Sequence, residues 1–264
     1  ATGAATLGAT ALATGHATAG DAYPFTLGVA SGDPTPDGVV LWTRLATDPV
    51  APDGLGGLGT RSTTVEWELA TDESFRRIVR RGTVTTDASV GHSIHIELAG
   101  LPSSARFAYR FRANGHLSPV GHTRTAPAPG SDERATLAVV SCAQWEHGWF
   151  TAYRHLAAEQ PDLVLHLGDY IYEYGNGEYA GPNGVVRPHD PAWDIVSLSD
   201  YRRRHAQYRT DPDLQRLHAH VPWICTWDDH EIANDAWEHG PAPYTTTGVF
   251  GKSSNVGTLM LAQR

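Results

Sequence analysis

The pattern of apolar residues changes about halfway along the chain, and this change constrains the fold more than any other feature. Before it, apolar and polar residues alternate in segments 65–69, 94–98 and 107–111. A period of two is typical of strands with one apolar and one solvated face, as in an antiparallel sandwich. The glycine, aspartate and proline at 31–34 are turn signals expected to separate two such strands. Residues 23–127 are therefore predicted to form an all-β sandwich of the immunoglobulin or fibronectin type.

The second half of the chain shows strands and helices in alternation. Segment 128–135 is a linker by composition, because alanine, proline, glycine and polar residues dominate it. Helices are expected at 150–159 and from about residue 199 onwards. Strand–helix–strand order predicts a parallel or mixed α/β sheet within residues 136–264. The buried strands of this sheet are predicted at three short apolar runs, 137–140, 163–167 and 221–227.

Each of the three apolar runs is followed by side chains that bind metal ions. Cys142 follows the first run, Asp169 the second, and Asp228, Asp229 and His230 the third. In open α/β sheets the ligand crevice lies beyond the carboxyl ends of the strands. These residues are therefore expected to cluster in space, although they lie far apart in the sequence.

The run from His166 to Glu173 is the strongest single motif. Its Gly168 allows a sharp backbone turn, and Asp169 supplies an oxygen that can bridge two cations. Tyr172, three residues later, can reach the same metal centre and bind it as a phenolate. A phenolate is an oxygen donor suited to a ferric ion. The alternative is structural: Asp169 would cap a helix and Tyr172 would pack in the core.

The second motif lies in the stretch from Thr226 to Asp235. Adjacent Asp228 and Asp229 repel each other, and a divalent cation would remove that cost. His230 is the candidate catalytic residue, either touching the transferred phosphoryl group or donating a proton. The alternative is a solvated acidic loop without a ligand.

Only two cysteines occur, which excludes a disulfide framework but not a single bridge. Cys142 is the candidate ligand because it stands at the end of the first strand. Cys225 lies within the third apolar run and is predicted to be a core residue. A Cys142–Cys225 disulfide is an open alternative in an oxidising compartment, and it would compete with ligation by Cys142.

Composition excludes several functions. The net charge of −9 leaves no basic stripe for binding nucleic acid. No apolar run is long enough to span a bilayer. Residues 1–22 are almost all Ala, Thr and Gly, which predicts either the remnant of an export signal or a disordered tail. The protein is expected to be secreted, extracellular or associated with the cell wall, and to be a monomer.

Several segments together resemble PhoD-like alkaline phosphatases and phosphodiesterases. The resemblance implies a calcineurin-like α/β metallophosphoesterase domain, a mixed sheet of the four-layer type that is incomplete here, preceded by the all-β sandwich. It implies a secreted hydrolase of phosphomonoesters and phosphodiesters in which a metal-activated hydroxide or oxide attacks phosphorus. The segments that carry the resemblance are 25–34, 40–44, 141–142, 166–173 and 227–231.

The same resemblance implies a ferric ion together with calcium ions. Cys142, Asp169 and Tyr172 would hold the iron, with Asp169 bridging to calcium. The candidate ligands of calcium are Asp228, Asp229 and Asn234. The implied substrates are small phosphate esters, with phospholipid and teichoic-acid phosphodiesters included because related enzymes are phospholipase D-type hydrolases.

Two other functions stay open at this point. One is a non-catalytic binding protein in which the β-domain acts and the rest is inert. The other is a glycosidase that uses Asp228 or Asp229 together with Glu231. Members of the family are longer than this chain, and its last residues depart from their pattern, so the chain alone is expected to be a poor catalyst. The Gly- and Pro-rich segment 173–195 is expected to form a rim that selects substrates, the alternative being a disordered loop.

Overall fold

The computed structural model describes residues 22–236. Its helices are α1 (Thr151–Ala158), α2 (Leu198–Arg209) and α3 (Pro212–His220). None of the helices in this part of the chain is long and apolar enough to cross a membrane. The strands, in chain order, are β1 (Val29–Thr35), β2 (Gly38–Arg44), β3 (Thr63–Ala70), β4 (Ile78–Thr86), β5 (Ser93–Leu98), β6 (Arg106–Ala113), β7 (His116–Leu117), β8 (Gly121–Arg124), β9 (Leu137–Val140), β10 (Leu163–His166) and β11 (Trp223–Cys225).

The strands form two sheets. The larger has the order β5-β2-β1-β11-β10-β9, and the smaller has the order β4-β3-β6-β7, with β8 pairing to β6. The alternating segments 65–69, 94–98 and 107–111 are strands, as predicted. Their apolar side chains meet between the two sheets in one core, where Leu41 of one sheet and Phe111 of the other are both fully buried. This is the predicted β-sandwich.

The larger sheet runs without a break from the amino-terminal region into the α/β region. Gly32 of β1 pairs in parallel with Trp223 of β11. A Cβ atom at position 32 would lie 2.8 Å from the Trp223 carbonyl oxygen, so the pairing requires glycine. The prediction of a turn at 31–34 is wrong, because these residues lie inside β1. The turn-forming residues instead coincide with a register shift in the β1–β2 ladder between Gly32 and Thr35, typical of a bulge.

In the second half, β9, β10 and β11 are parallel, and the helices cover one of their faces. Strands 137–140 and 163–167 and the helix at 150–159 are confirmed to within a residue or two, while β11 is shorter than the predicted 221–227. Helix α2 begins at a capping box formed by Ser197 and Asp200. Sequence analysis missed α3, although Asp211 caps it and proline is its first residue, which is a typical helix start.

The opposite face of β9–β11 is apolar and open to solvent in the described part of the chain. Leu165 pairs with Val139 on one side and Ile224 on the other, and these two neighbours are 60% and 40% exposed. The mixed sheet, with helices packed on one face, agrees with the phosphoesterase fold expected from the sequence. The prediction that Cys225 is a core residue is wrong. Cys225 is the last residue of β11, and its side chain is exposed as a free thiol, as is that of Cys142.

Arginines tie the two regions together around α2. Arg209 donates to the carbonyl oxygens of Leu27 and Val29, which precede and begin β1. At the other end of the helix, the Arg44 guanidinium donates to the carbonyl oxygen of Arg202 at 2.8 Å. These contacts hold α2 against the amino-terminal part of the larger sheet.

Candidate metal centre

The carboxyl ends of β10 and β11 meet at Gly168. Gly168 has a φ of +105°, and a Cβ atom there would collide with the backbone nitrogen of Asp228. The end of β9 joins the same point, because the Cys142 amide donates to the Gly168 carbonyl oxygen at 3.2 Å. The three predicted strand ends therefore converge, as the sequence analysis expected.

Two of the converging residues have left-handed backbone conformations. Cys142 has a φ of +58° and Asp169 a φ of +55°, values that are uncommon for residues other than glycine. The turns are held against each other because the Ala143 amide donates to the Asp169 carbonyl oxygen at 3.0 Å. Strained conformations of this kind cluster at functional sites, where the surrounding structure maintains them.

Asp169, Asp229 and His230 form a group suited to a cation. One ligand atom from each lies within 4.8 Å of the other two. Asp169 is 7% exposed, and its Oδ1 is buried without a hydrogen-bond donor among residues 22–236. A buried carboxylate oxygen without a partner is costly, and a metal ion would offset that cost. The donor set of two carboxylates and an imidazole fits a divalent or trivalent cation.

Tyr172 completes the surroundings of Asp169. Its hydroxyl donates to Asp169 Oδ2 at 3.1 Å, and its ring centroid lies 4.3 Å from that of His230. Burial, together with the neighbouring Asp169 and Cys142, raises the pKa of the Tyr172 phenol far above its usual range. The phenol is thus protonated in the absence of a cation, and binding a metal as a phenolate would release that proton.

The other predicted ligands are placed less directly. Cys142 interacts with the Tyr172 hydroxyl but is not part of the group of three. Asp228 is exposed and also lies outside that group. The side chain of Asn234 donates to Asp235 at 3.0 Å. The structure therefore brings Asp229 into one group with Asp169 and His230, while the backbone of Asp228 lies against Gly168.

Sequence analysis missed the role of Glu173, the last residue of the first motif. His230 Nδ1 donates to Glu173 Oε2 at 2.8 Å, and the backbone N–H of Asn234 donates to Glu173 Oε1 at 2.6 Å. Burial lowers the pKa of His230, but the bond to Glu173 and the charges of Glu173, Asp169 and Asp229 outweigh it, so the pKa lies above its ordinary value. The carboxylate can only accept, so Nδ1 carries a proton and Nε2 is the nitrogen available for other partners.

Glu231 braces the two strand ends. It is 2% exposed, its Oε2 accepts from the Asp228 amide at 2.8 Å, and its Oε1 accepts from the Tyr170 amide. Burial raises the pKa of this carboxyl, and the hydrogen bonds from the backbone of Tyr170, Asp228 and Asp169 partly oppose the rise. Both oxygens are engaged with backbone, which counts against the acid–base role that a glycosidase would require of Glu231.

Comparisons with known proteins identify the family of the chain. Residues 9–127 match the model of the PhoD-like phosphatase N-terminal domain, and residues 137–255 match the model of the PhoD-like phosphatase itself. The chain belongs to the PhoD-like phosphatase family. Over 214 residues it is 55% identical to alkaline phosphatase D of Bacillus subtilis (strain 168), an alignment covering 81% of this chain and 36% of that protein.

The fold of this PhoD-like chain is confirmed by a solved structure of PhoD. The two superpose with a TM-score of 0.82 at 50% identity, covering 92% of this chain and 44% of the other. This chain thus spans less than half the length of either relative. A further stretch of 31 residues is 87% identical to the penicillin-binding protein PbpB of Mycobacterium tuberculosis (strain ATCC 25618 / H37Rv), covering 12% of this chain and 5% of that protein. That stretch is too short to support a statement about function.

The rim predicted for this PhoD-like chain at 173–195 is built from side-chain bonds rather than regular secondary structure. Glu146 is fully buried, and its carboxylate accepts from the Gly177 amide at 3.0 Å. Arg203 of α2 pairs with Asp190. These contacts attach the segment to the α/β region at both ends, which counts against the alternative of a disordered loop.

Proposed function

We propose that this chain contributes to the catalytic centre of a secreted, metal-dependent phosphoric ester hydrolase. The proposal rests above all on one observation: Asp169, whose Oδ1 is buried without a donor among residues 22–236, lies in one group with Asp229 and His230. Family membership supports hydrolysis of phosphate esters as the reaction class. Phosphomonoesters and phosphodiesters are the proposed substrates, with phospholipid and teichoic-acid diesters among the latter.

The proposed ligands follow from the chemistry of the donors. Cys142, Asp169 and Tyr172 would hold Fe³⁺, since thiolate and phenolate are donors that a ferric ion accepts. Asp169 and Asp229 would hold Ca²⁺, which prefers carboxylate oxygens, and Asp228 and Asn234 stay proposed as further oxygen ligands. When bound, such cations polarise the phosphoryl oxygens and offset the charge that develops in the transition state.

The chain's own residues orient the remaining groups. In the chain without a cation, the Tyr172 hydroxyl donates to Asp169 Oδ2, while Oδ1 is buried without a donor among residues 22–236. Glu173 fixes the proton of His230 on Nδ1, so that Nε2 is directed to partners within the site. We assign His230 the role of contacting the phosphoryl group in its doubly protonated form, which the raised pKa of the ring favours. Nε2 then carries a second proton and can act as a hydrogen-bond donor or supply that proton to the leaving group.

A chimera tests this proposal. Residues 22–236 would replace the corresponding part of the Bacillus subtilis alkaline phosphatase D, whose 55% identity makes the exchange feasible. We expect the chimera to hydrolyse p-nitrophenyl phosphate and bis(p-nitrophenyl) phosphate, and chelation to abolish both activities. The matched control carries Asp169→Asn in the same chimera. A folded chimera that is inactive, or one whose hydrolysis survives Asp169→Asn, would contradict the proposal.

A further inference from the structure

Helix α2 carries an arginine that is completely buried. Arg204 is 0% exposed, and no carboxylate lies within ion-pair distance of it among residues 22–236. Burying a guanidinium without such a partner is costly unless its donors are satisfied. Its two terminal nitrogens donate instead to four backbone carbonyl oxygens, while Nε is buried without a partner among residues 22–236. These are the carbonyls of Tyr172, Tyr174 (3.0 Å), Pro191 (2.7 Å) and Trp193 (3.4 Å).

These carbonyls lie at the two ends of the rim segment 173–195. Tyr172 directly precedes the segment and Tyr174 lies at its start, while Pro191 and Trp193 lie near its end. A planar guanidinium presents its donors in a fixed fork, so a single side chain can set the distance between two backbone segments. A lysine at the same position would offer one flexible ammonium and could not reproduce that geometry.

The first pair of carbonyls lies on either side of Glu173. The Glu173 carboxylate in turn accepts from His230 Nδ1 and from the Asn234 amide. The backbone on both sides of Glu173 is therefore held by Arg204, while its side chain holds the histidine of the candidate centre. The Ile195 amide also donates to the Glu173 carbonyl oxygen at 3.0 Å, so the end of the rim returns to the same residue.

We propose that Arg204 is a positioning residue for the hydrolytic site. It sets the backbone of Glu173, and through Glu173 it fixes the tautomer and orientation of His230. This inference rests on the proposed function for its catalytic meaning, but the chain of contacts from Arg204 to His230 can be tested without activity. His230 belongs to the group of three that is suited to a cation. The loss of a partner that orients a metal-ligating histidine typically lowers metal affinity by roughly 10- to 100-fold.

The experiment uses the 264-residue chain with Arg204→Lys, and Arg203→Lys as the matched control. Arg203 is the neighbouring residue of the same helix and also contacts the rim, through Asp190. The first measurement is the tautomer of His230 in the metal-free chain, from imidazole ¹⁵N resonances at alkaline pH, assigned with His230→Gln. The second is the affinity for Co²⁺, followed by its visible absorption, and thermal unfolding confirms that each variant is folded.

We expect Arg204→Lys to convert the single Nδ1–H tautomer of His230 into a mixture and to weaken Co²⁺ binding about tenfold. Arg203→Lys should change neither. An unchanged His230 tautomer in folded Arg204→Lys would overturn the inference. So would a failure of both Arg204→Lys and Arg204→Gln to fold, because Arg204 would then be a general stabilising residue. If no version binds Co²⁺ but the tautomer responds as expected, the proposed metal centre fails and the positioning role stands.

Discussion

Replacing His189 with glutamine should reduce the loss of stability that acid causes. His189 is 3% exposed, its Nδ1 lies 3.0 Å from the Tyr174 carbonyl oxygen, and its ring stacks on Tyr208. Burial lowers the pKa of His189 to about 3, with Arg204 and Arg187 contributing, against an ordinary value of 6.5. The imidazole is therefore neutral in the folded chain over a range of pH in which the unfolded chain binds a proton.

The sign of the effect follows from this lowered pKa. Above pH 6.5 the imidazole is neutral in both the folded and the unfolded chain and does not change the free energy of unfolding. As the pH drops from there towards 3, only the unfolded chain binds a proton, so the folded chain loses stability. At about pH 5, roughly 1.5 pH units below the ordinary pKa of histidine, His189 is protonated in the unfolded chain but not in the folded chain. This difference lowers the free energy of unfolding by about 2 kcal/mol. Typical domains have only about 5–15 kcal/mol of stability in total, so the effect is measurable.

Urea unfolding followed by tryptophan fluorescence, at neutral pH and at about pH 5, measures the effect. His189→Gln is expected to be less stable than the parent at neutral pH, because it loses a packed ring. The difference between the two proteins should then shrink by about 2 kcal/mol at the lower pH. His155→Gln, a change of an exposed histidine on α1, is the matched control. Parallel pH dependences of parent and His189→Gln would refute the reasoning.

Three further predictions concern the site and the open sheet face. Asp169→Asn in the chimera should lower the hydrolysis rate by a factor of roughly a hundred or more, because a carboxylate that offsets cationic charge is lost. A hydrolysis rate equal to that of the parent chimera would contradict this. In the 264-residue chain, Cys225→Ser should change the free energy of unfolding by less than about 0.5 kcal/mol, since the thiol is exposed there. In the chimera it should leave hydrolysis intact, and a loss of turnover in a folded chimera would show that Cys225 belongs to the site. Ile224→Thr should reduce self-association of the 264-residue chain, measured by light scattering, without destabilising the fold. Unchanged scattering would mean that the exposed apolar face of β9–β11 does not promote association.

The sequence was sufficient to predict where β9 and β10 end, because those signals are local. The runs before Cys142 and Asp169 are short, apolar and followed by residues that cannot continue a buried strand. The rule that ligands gather at the carboxyl ends of strands then placed Asp229 beside Asp169 without any knowledge of the strand pairing. The alternating pattern of the first half was equally local, since it repeats within each strand.

Features that depend on contacts distant in sequence were not predictable in the same way. The pairing of Gly32 with Trp223 leaves no trace in either segment alone, and the glycine resembled a turn residue. Cys225 resembled a core residue because its neighbours are apolar, but the exposure of a strand end depends on what covers the sheet. Glu173 stood within the strongest motif, yet its partner His230 lies 57 positions away.

The iron content and visible spectrum of the purified chimera test the central claim most directly. If Cys142, Asp169 and Tyr172 hold a ferric ion, the chimera should contain iron and show a visible charge-transfer band. Tyr172→Phe should shift or remove that band while the fold survives, because the phenolate contributes to it. A chimera that hydrolyses phosphodiesters at full rate while colourless and free of iron would contradict the account.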